Sequence, residues 1–166
     1  MMELAKLTLN FIRGSLVFLT SGFVYAGEKD ISFSTKLLAI DANEGCAIID
    51  VNNDGQLDVL AGRNWYAGPD FVPRALRPIE DRNGYIHSNG DFPYDVDADG
   101  WVDIIAQSFF QTEINWFRNP GPEALKLGLL WEKCLLVDTQ VDRNEAGLMH
   151  DLGGDGIKEF VVNSWN

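Results

Sequence analysis

The chain has 166 residues, a formal net charge of −12 and 46% hydrophobic residues. Acidity on that scale argues against nucleic acid or an anionic membrane surface as partner. Ten Phe and five Trp supply a core and exclude a disordered chain.

The first element predicted is a signal peptide over residues 1–26. Lys6 and Arg13 precede an apolar run from Leu16 to Tyr25, and Val24-Tyr25-Ala26 sets small residues where a signal peptidase reads, so cleavage is expected before Gly27. The run is shorter than the ~20 apolar residues of a spanning helix. This predicts a secreted or periplasmic protein with no membrane span after cleavage. Removing the segment subtracts Glu3, Lys6 and Arg13 and moves the net charge from −12 to −13, which raises the question of what cation offsets it. An oxidising compartment permits a disulfide between Cys46 and Cys134. Two buried thiols in strand-like stretches are an equal reading. No C-x-x-C pair or cysteine–histidine cluster is present, which argues against zinc.

From Lys36 onward the chain repeats itself. Three acidic loops align: Asp50-Val-Asn-Asn-Asp-Gly-Gln-Leu-Asp58, Asp95-Val-Asp-Ala-Asp-Gly-Trp-Val-Asp103 and Asp151-Leu-Gly-Gly-Asp-Gly-Ile-Lys-Glu159. Upstream of them lie Asn43-Glu44-Gly45, Ser88-Asn89-Gly90 and Asn144-Glu145-Ala146 at matched positions, and Lys36–Asp41 echoes Lys133–Asp138. The flanks Ala47–Ile49, Leu57–Ala61, Val102–Ala106 and Phe160–Val162 are short, aliphatic and β-branched, which predicts strands. Trp65-Tyr66 and Ile114–Phe117 predict two more, the latter closed by the turn Asn119-Pro120-Gly121. Pro69, Pro73 and Pro78 mark an irregular insertion carrying Arg74, Arg77 and Arg82, and Glu123–Leu130 allows one or two helical turns.

A period of ~40–50 residues with about four strands per unit is the pattern of propeller blades. The fold class expected is therefore all-β: an incomplete β-propeller of about two and a half four-stranded blades over 27–166, preceded by the signal peptide. Such an arc cannot close a ring, and the sequence stops at Asn166 in mid-repeat, which predicts the N-terminal part of a longer propeller.

The loops suit calcium, a hard cation taking 6–8 oxygen ligands at ~2.3–2.6 Å. Carboxylates at positions 1, 3 and 5 converge, glycine at position 6 permits the sharp turn, and position 7 adds its carbonyl and position 9 its carboxylate. The second loop offers Asp95, Asp97, Asp99, the carbonyl of Trp101, and Asp103. The first offers Asp50, Asn52, Asp54, the carbonyl of Gln56, and Asp58, with one charge fewer. In the third, Gly153 offers no side chain, leaving Asp151, Asp155 and Glu159. The expected order of affinity is second, first, third. An EF-hand needs a bidentate Glu at position 12, where this chain has Ala61 and Ala106. Metal-free Asp-Gly turns are the competing reading, set against the recurrence of the same offsets in register.

The acidic motif, the aliphatic strand after it and the aromatic strand ending in an Asn-Pro-Gly turn resemble the FG-GAP or VCBS-type repeat of integrin-α-like propellers and many secreted bacterial proteins. The matching stretches are Asp50–Leu60, Asp95–Ala106 with Asn115–Gly121, and Asp151–Val162. The resemblance implies a calcium-stabilised β-propeller and no single activity.

Neither a G-x-S-x-G elbow, a phosphate loop nor an H-E-x-x-H motif is present, and no catalytic residue is assigned. His150 precedes the third loop at a strand position and reads as partly buried and structural. His87 falls in a loop-like stretch where a role in a pocket is open. Glu44, Asn89 and Glu145 either line a central channel or cap the turn before each first strand, and capping is the preferred reading. Two functions are compatible with these residues. One is a non-catalytic, calcium-bound module whose partner is a carbohydrate or another extracellular protein. The other is the front end of a secreted carbohydrate-active enzyme, a lyase or glycoside hydrolase with its catalytic residues beyond this chain.

Overall fold

Short β-branched and aromatic runs broken by Gly, Asn and Asp can bury their faces only by pairing with near neighbours along the chain. The computed structural model describes residues 31–165 and bears this out. The expected leader lies outside the described residues, and the compact unit that carries the repeats begins at Lys36. Among the described residues no helix is long and apolar enough to cross a membrane.

Among the described residues the chain is mostly β, in four antiparallel sheets. Strands β1 (Ala47–Ile49), β2 (Asp58–Ala61), β3 (Asn64–Ala67) and β4 (Val72–Ala75) form a meander in chain order. A small hairpin follows, β5 (Asp81–Arg82) with β6 (Tyr85–Ile86). A second four-stranded meander contains β7 (Gly90–Tyr94), β8 (Asp103–Gln107), β9 (Glu113–Arg118) and β10 (Glu132–Asp138). Helix α1 (Gly121–Leu127) joins its last two strands. Gly128 ends the helix in the left-handed conformation and donates its N–H to the Leu125 carbonyl. The hairpin β11 (Asn144–His150) and β12 (Glu159–Ser164) completes the order.

The three acidic loops occupy one topological position. Each links the first two strands of its sheet, between the closing pairs Ile49↔Asp58, Tyr94↔Asp103 and His150↔Glu159. The first strands also lie side by side, since β7 packs beside both β1 and β11. The core sits between the two larger sheets: Leu60 and Trp65 from the first meet Ile104 and Phe117 from the second, with Leu76, Leu125 and Trp131 closing one side.

Buried polar groups tie the same junction together. Arg77 pairs with Asp91, both side chains 2% exposed, and also donates to Ser88 Oγ at 3.0 Å. The other Asp91 oxygen accepts from Gly62 N–H at 3.0 Å, so one carboxylate joins the first sheet, the second and the segment between them. Breaking such a buried pair by deleting one partner typically costs about 3–5 kcal/mol.

Several expectations change. Pro73 lies within β4, an outer strand whose free side needs no donor, so the insertion is more ordered than its prolines suggested. Within it, Asn83-Gly84 forms a tight hairpin turn with φ of 52° and 85°, a signal the sequence carries openly. Lys36–Asp41, despite echoing β10, has no regular secondary structure. Cys46 and Cys134 are both free; Cys46 is exposed and Cys134 half-buried, so neither a disulfide nor a pair of buried thiols is present. His150 is exposed at the end of β11 rather than partly buried.

Gly45 sets how closely the first strands approach. A Cβ there would stand 2.9 Å from the Gly90 and Asp91 backbone, which cannot swing aside as a side chain can. Gly45→Ala is expected to destabilise by about 1–3 kcal/mol, the usual cost of overpacking. Chemical denaturation checks this, and an unchanged midpoint would show that the two backbones separate freely.

Candidate metal centre

Each acidic loop is built on the same hydrogen-bond scheme. The position-1 carboxylate accepts from the backbone N–H groups of positions 5 and 6: Asp50 from Asp54 and Gly55, Asp95 from Asp99 and Gly100, and Asp151 from Asp155 and Gly156. The position-5 carboxylate accepts from the N–H of position 7 in all three, at 2.8–2.9 Å. These bonds fold the loop so tightly that positions 4 and 6 both take positive φ. Asn53, Ala98 and Gly154 stand at position 4, and Gly55, Gly100 and Gly156 at position 6. The N–H groups also favour the ionised carboxylate. Bonds from Gly156 lead the causes that hold Asp151 below the ordinary aspartate range.

Position 9 is placed differently from the ligand expected there. Asp58 and Asp103 are fully buried. Their Oδ2 atoms accept from the position-2 N–H of Val51 and Val96, each at 2.9 Å. Their Oδ1 atoms accept from the residue that follows the third strand, Gly68 at 2.7 Å and Asn119 at 2.8 Å. Glu159 repeats the first half of this arrangement, accepting from Leu152 N–H at 2.8 Å. Burial is the largest influence on Asp58 and Asp103, raising both above the ordinary aspartate range against the lowering effect of these N–H donors. Both oxygens are thus engaged in strapping the loop to its sheet.

The remaining carboxylates of the second loop converge. Asp95, Asp97 and Asp99 each present an oxygen within 4.8 Å of the others. Oxygens sharing one calcium at ~2.3–2.6 Å lie within about 5 Å of one another, so the spacing is compatible with an ion. It is not selective for calcium over other hard divalent cations. In the first loop, Asn52 Nδ2 donates to Asp54 at 2.9 Å while Asn52 Oδ1 accepts from Asp54 N–H. An ion there would meet Asp50, Asp54 and the Asn52 oxygen after a turn of that amide. In the third loop Asp155 and Glu159 face the space beside Gly153.

Two residues that sequence reasoning left out of the site belong to it. Arg118, at the end of β9, pairs with Asp97 at 2.5 Å, and this carboxylate leads the causes raising the guanidinium's pKa above the ordinary arginine value. Asn119 is buried and donates from Nδ2 to the carbonyls of Val51 at 3.0 Å and Val102 at 3.1 Å, joining the first loop to the second sheet. Asn53 Nδ2 reaches the Gly100 carbonyl at 3.3 Å, so the two loops stand side by side. The Asn119–Val51 and Asn53–Gly100 contacts do not follow from the motif, because both cross between repeats.

Glu44, Asn89 and Glu145 do come together, lining one cavity of about 290 Å³ with Tyr85, Phe109 and Phe110. The capping reading is not what the structure holds for Asn89. Its side chain donates to the carbonyls of Asn144 and Glu145 in the following repeat, at 3.0 and 3.3 Å.

Ala98 carries a positive φ of 58° where the other repeats place Asn or Gly. A left-handed conformation costs an L-residue with a Cβ roughly 1–2 kcal/mol. Ala98→Gly is therefore expected to leave the melting temperature unchanged or raise it, by up to about 1 kcal/mol in stability after the entropy glycine adds to the unfolded chain. A clear loss of stability would show that the Ala98 methyl makes a needed contact. No protein-family model, no curated protein and no solved structure matches the chain.

Proposed function

We infer that the chain is a calcium-binding repeat module of an exported protein, with its two four-stranded sheets and third hairpin acting as successive blades of a β-propeller of the FG-GAP or VCBS type. The observation that carries the reading is the threefold recurrence of one loop geometry at one topological position, with three carboxylates converging in its most acidic copy. Side-by-side first strands, as around an axis, support the blade assignment. The role is binding or assembly outside the cytoplasm, without catalysis.

On this reading the ion in the second loop is held by Asp95, Asp97, Asp99 and the Trp101 carbonyl, with water completing the shell. Asp103 sits behind them as the strap. In the first loop the ligands are Asp50, Asn52, Asp54 and the Gln56 carbonyl, and in the third Asp151 and Asp155 with the free oxygen of Glu159. Calcium suits a site that supplies only oxygens and leaves the coordination number flexible, where magnesium demands near-ideal octahedral geometry. The bound ion offsets carboxylate repulsion within the loop and fixes the two strands it joins.

Saturating calcium is expected to raise the melting temperature, reversibly on adding chelator, with about 2.7 kcal/mol of added stability at a hundredfold excess over Kd. Asp99→Ala removes this increment from the second site and costs the metal-free protein no more than the exposed hydrogen bond that Asp99 accepts from Trp101 N–H. Asp103→Asn instead costs about 1–3 kcal/mol with or without calcium, because its amide group turns a donor toward a buried backbone N–H. Melting that ignores calcium altogether sinks the proposal.

Gly153→Asp supplies the missing position-3 carboxylate. A Cβ there meets only ordinary contacts, at 3.6 Å from Glu159 and 3.8 Å from Asp155. Calorimetric titration is expected to show the weakest calcium site of the chain tightened by this change. An unaltered isotherm would show that the third loop is not a site.

A further inference from the structure

A second cavity, of about 380 Å³, lies between the segment from Arg77 to Glu80, one face of the second sheet, and Trp131. Strand register puts Asn115, Phe117 and Lys133 together on that face. Two side chains of the wall are more than nine-tenths buried, Arg77 at 3% and Trp131 at 4% exposure. Each carries a donor with no hydrogen-bond partner among the described residues, Arg77 Nη1 and Trp131 Nε1. His87 Nε2, at the same cavity, is unpartnered too. Buried polar groups in folded proteins are almost always satisfied, so unsatisfied donors around one hollow mean that something polar fills it.

The wall carries both signs of charge. Arg77 is paired with Asp91 through Nη2, which leaves Nη1 to reach a further acceptor. Lys133 is half exposed and stands 3.5 Å from Glu113. Glu80 is exposed at the cavity and has no ion-pair partner among the described residues. An occupant bearing only a carboxylate would meet Glu80, and one bearing only an ammonium group would meet Arg77 and Lys133. A molecule that carries both sets its carboxylate against the Arg77 and Trp131 donors, as a charged acceptor forming the stronger hydrogen bonds, and its ammonium group against Glu80. Ile79, Phe117 and Leu130 add apolar wall for a side chain. The volume falls at the small end of the ~300–1,000 Å³ of ligand sites, which suits a molecule of few atoms.

We propose that this cavity binds a free α-amino acid with an apolar side chain, its carboxylate on Arg77 and Trp131 and its ammonium group on Glu80. The site is separate from the acidic loops and does not depend on the calcium reading. A saturation-transfer NMR titration of the full chain with leucine is expected to show binding. N-acetylleucine, which lacks the ammonium group, and leucinamide, which lacks the carboxylate, should each bind at least tenfold more weakly. Glu80→Gln keeps the exposed side chain's shape and should weaken leucine at least threefold while leaving N-acetylleucine as it was. Trp131→Phe deletes the Nε1–H, keeps an aromatic wall and should weaken leucine by a similar factor. If Trp131→Phe does not fold, the exposed Glu80→Gln decides alone. No transfer to leucine, meaning a cavity filled by water alone, overturns the proposal. Leucine binding no tighter than that of either derivative, or undiminished in Glu80→Gln, overturns it equally.

Discussion

A buried carboxylate with no freedom to turn holds each of the first two acidic loops to its sheet. In Asp58 and Asp103 one oxygen accepts from the loop's second N–H and the other from the residue after the third strand, so loop, second strand and third strand are fixed by one side chain. Burial raises both groups above their ordinary pKa. A carboxyl whose folded pKa is raised favours folding below its unfolded value near 3.8, and that contribution is lost as pH rises through the folded value. At neutral pH each strap is therefore a buried charge held at a cost. Its neighbours Asp50 and Asp54, or Asp97 and Asp99, push in the same unfavourable direction. A divalent cation in the loop, on the proposed function, would reverse the sign of that field. The strap and the acidic loop are thus two halves of one electrostatic arrangement.

The junction between the two larger sheets depends on that rigidity. Asn119 can hold the Val51 and Val102 carbonyls together because its own N–H is fixed by Asp103 and its Oδ1 accepts from Gly121 N–H. Val51, fully buried at the second position of the first loop, is then locked into the core beside Leu60 and Ile104. At the other end of the strands, Gly45 lets the two backbones meet closely enough for Asp91 to reach both Gly62 and Arg77. Packing and polar bonding are not separable here: the close approach exists for the ion pair, and the ion pair is dry because of the close approach.

The repeat made most of this order legible in the sequence. Short aliphatic and aromatic runs located β1, β2, β3, β8, β9 and β12 to within about two residues, since such runs between Gly, Asn and Asp have few alternatives. Proline misled at Pro73, because its meaning depends on whether a strand lies at an edge, and that is a property of the sheet. Asn83-Gly84 was legible but was overshadowed by those prolines. The Arg77–Asp91 pair and the side-chain contacts of Asn119 and Arg118 were not legible, because each joins residues from different elements whose adjacency only folding creates. The position-9 carboxylates stand out by spacing, and spacing alone does not say whether an oxygen faces an ion or a backbone N–H.

The three loops also differ in how they compensate their own charge, and this sharpens the order of affinity inferred from carboxylate number. In the first loop the position-3 side chain is the Asn52 amide, which donates to Asp54 within the loop and must turn before its oxygen can ligate. In the second, the compensating group is Arg118, 47% exposed and reaching in from outside the loop. A guanidinium so exposed to water holds its partner only weakly, and it can swing away without disturbing the loop. In the third, Gly153 offers neither acceptor nor donor from a side chain, and the Gly154 N–H turns toward Asp151 instead. On the proposed function, an arriving cation would displace an easily moved arginine in the second loop, rotate an internal amide in the first, and lack a ligand in the third. The most acidic loop is also the one whose internal compensation is easiest to give up.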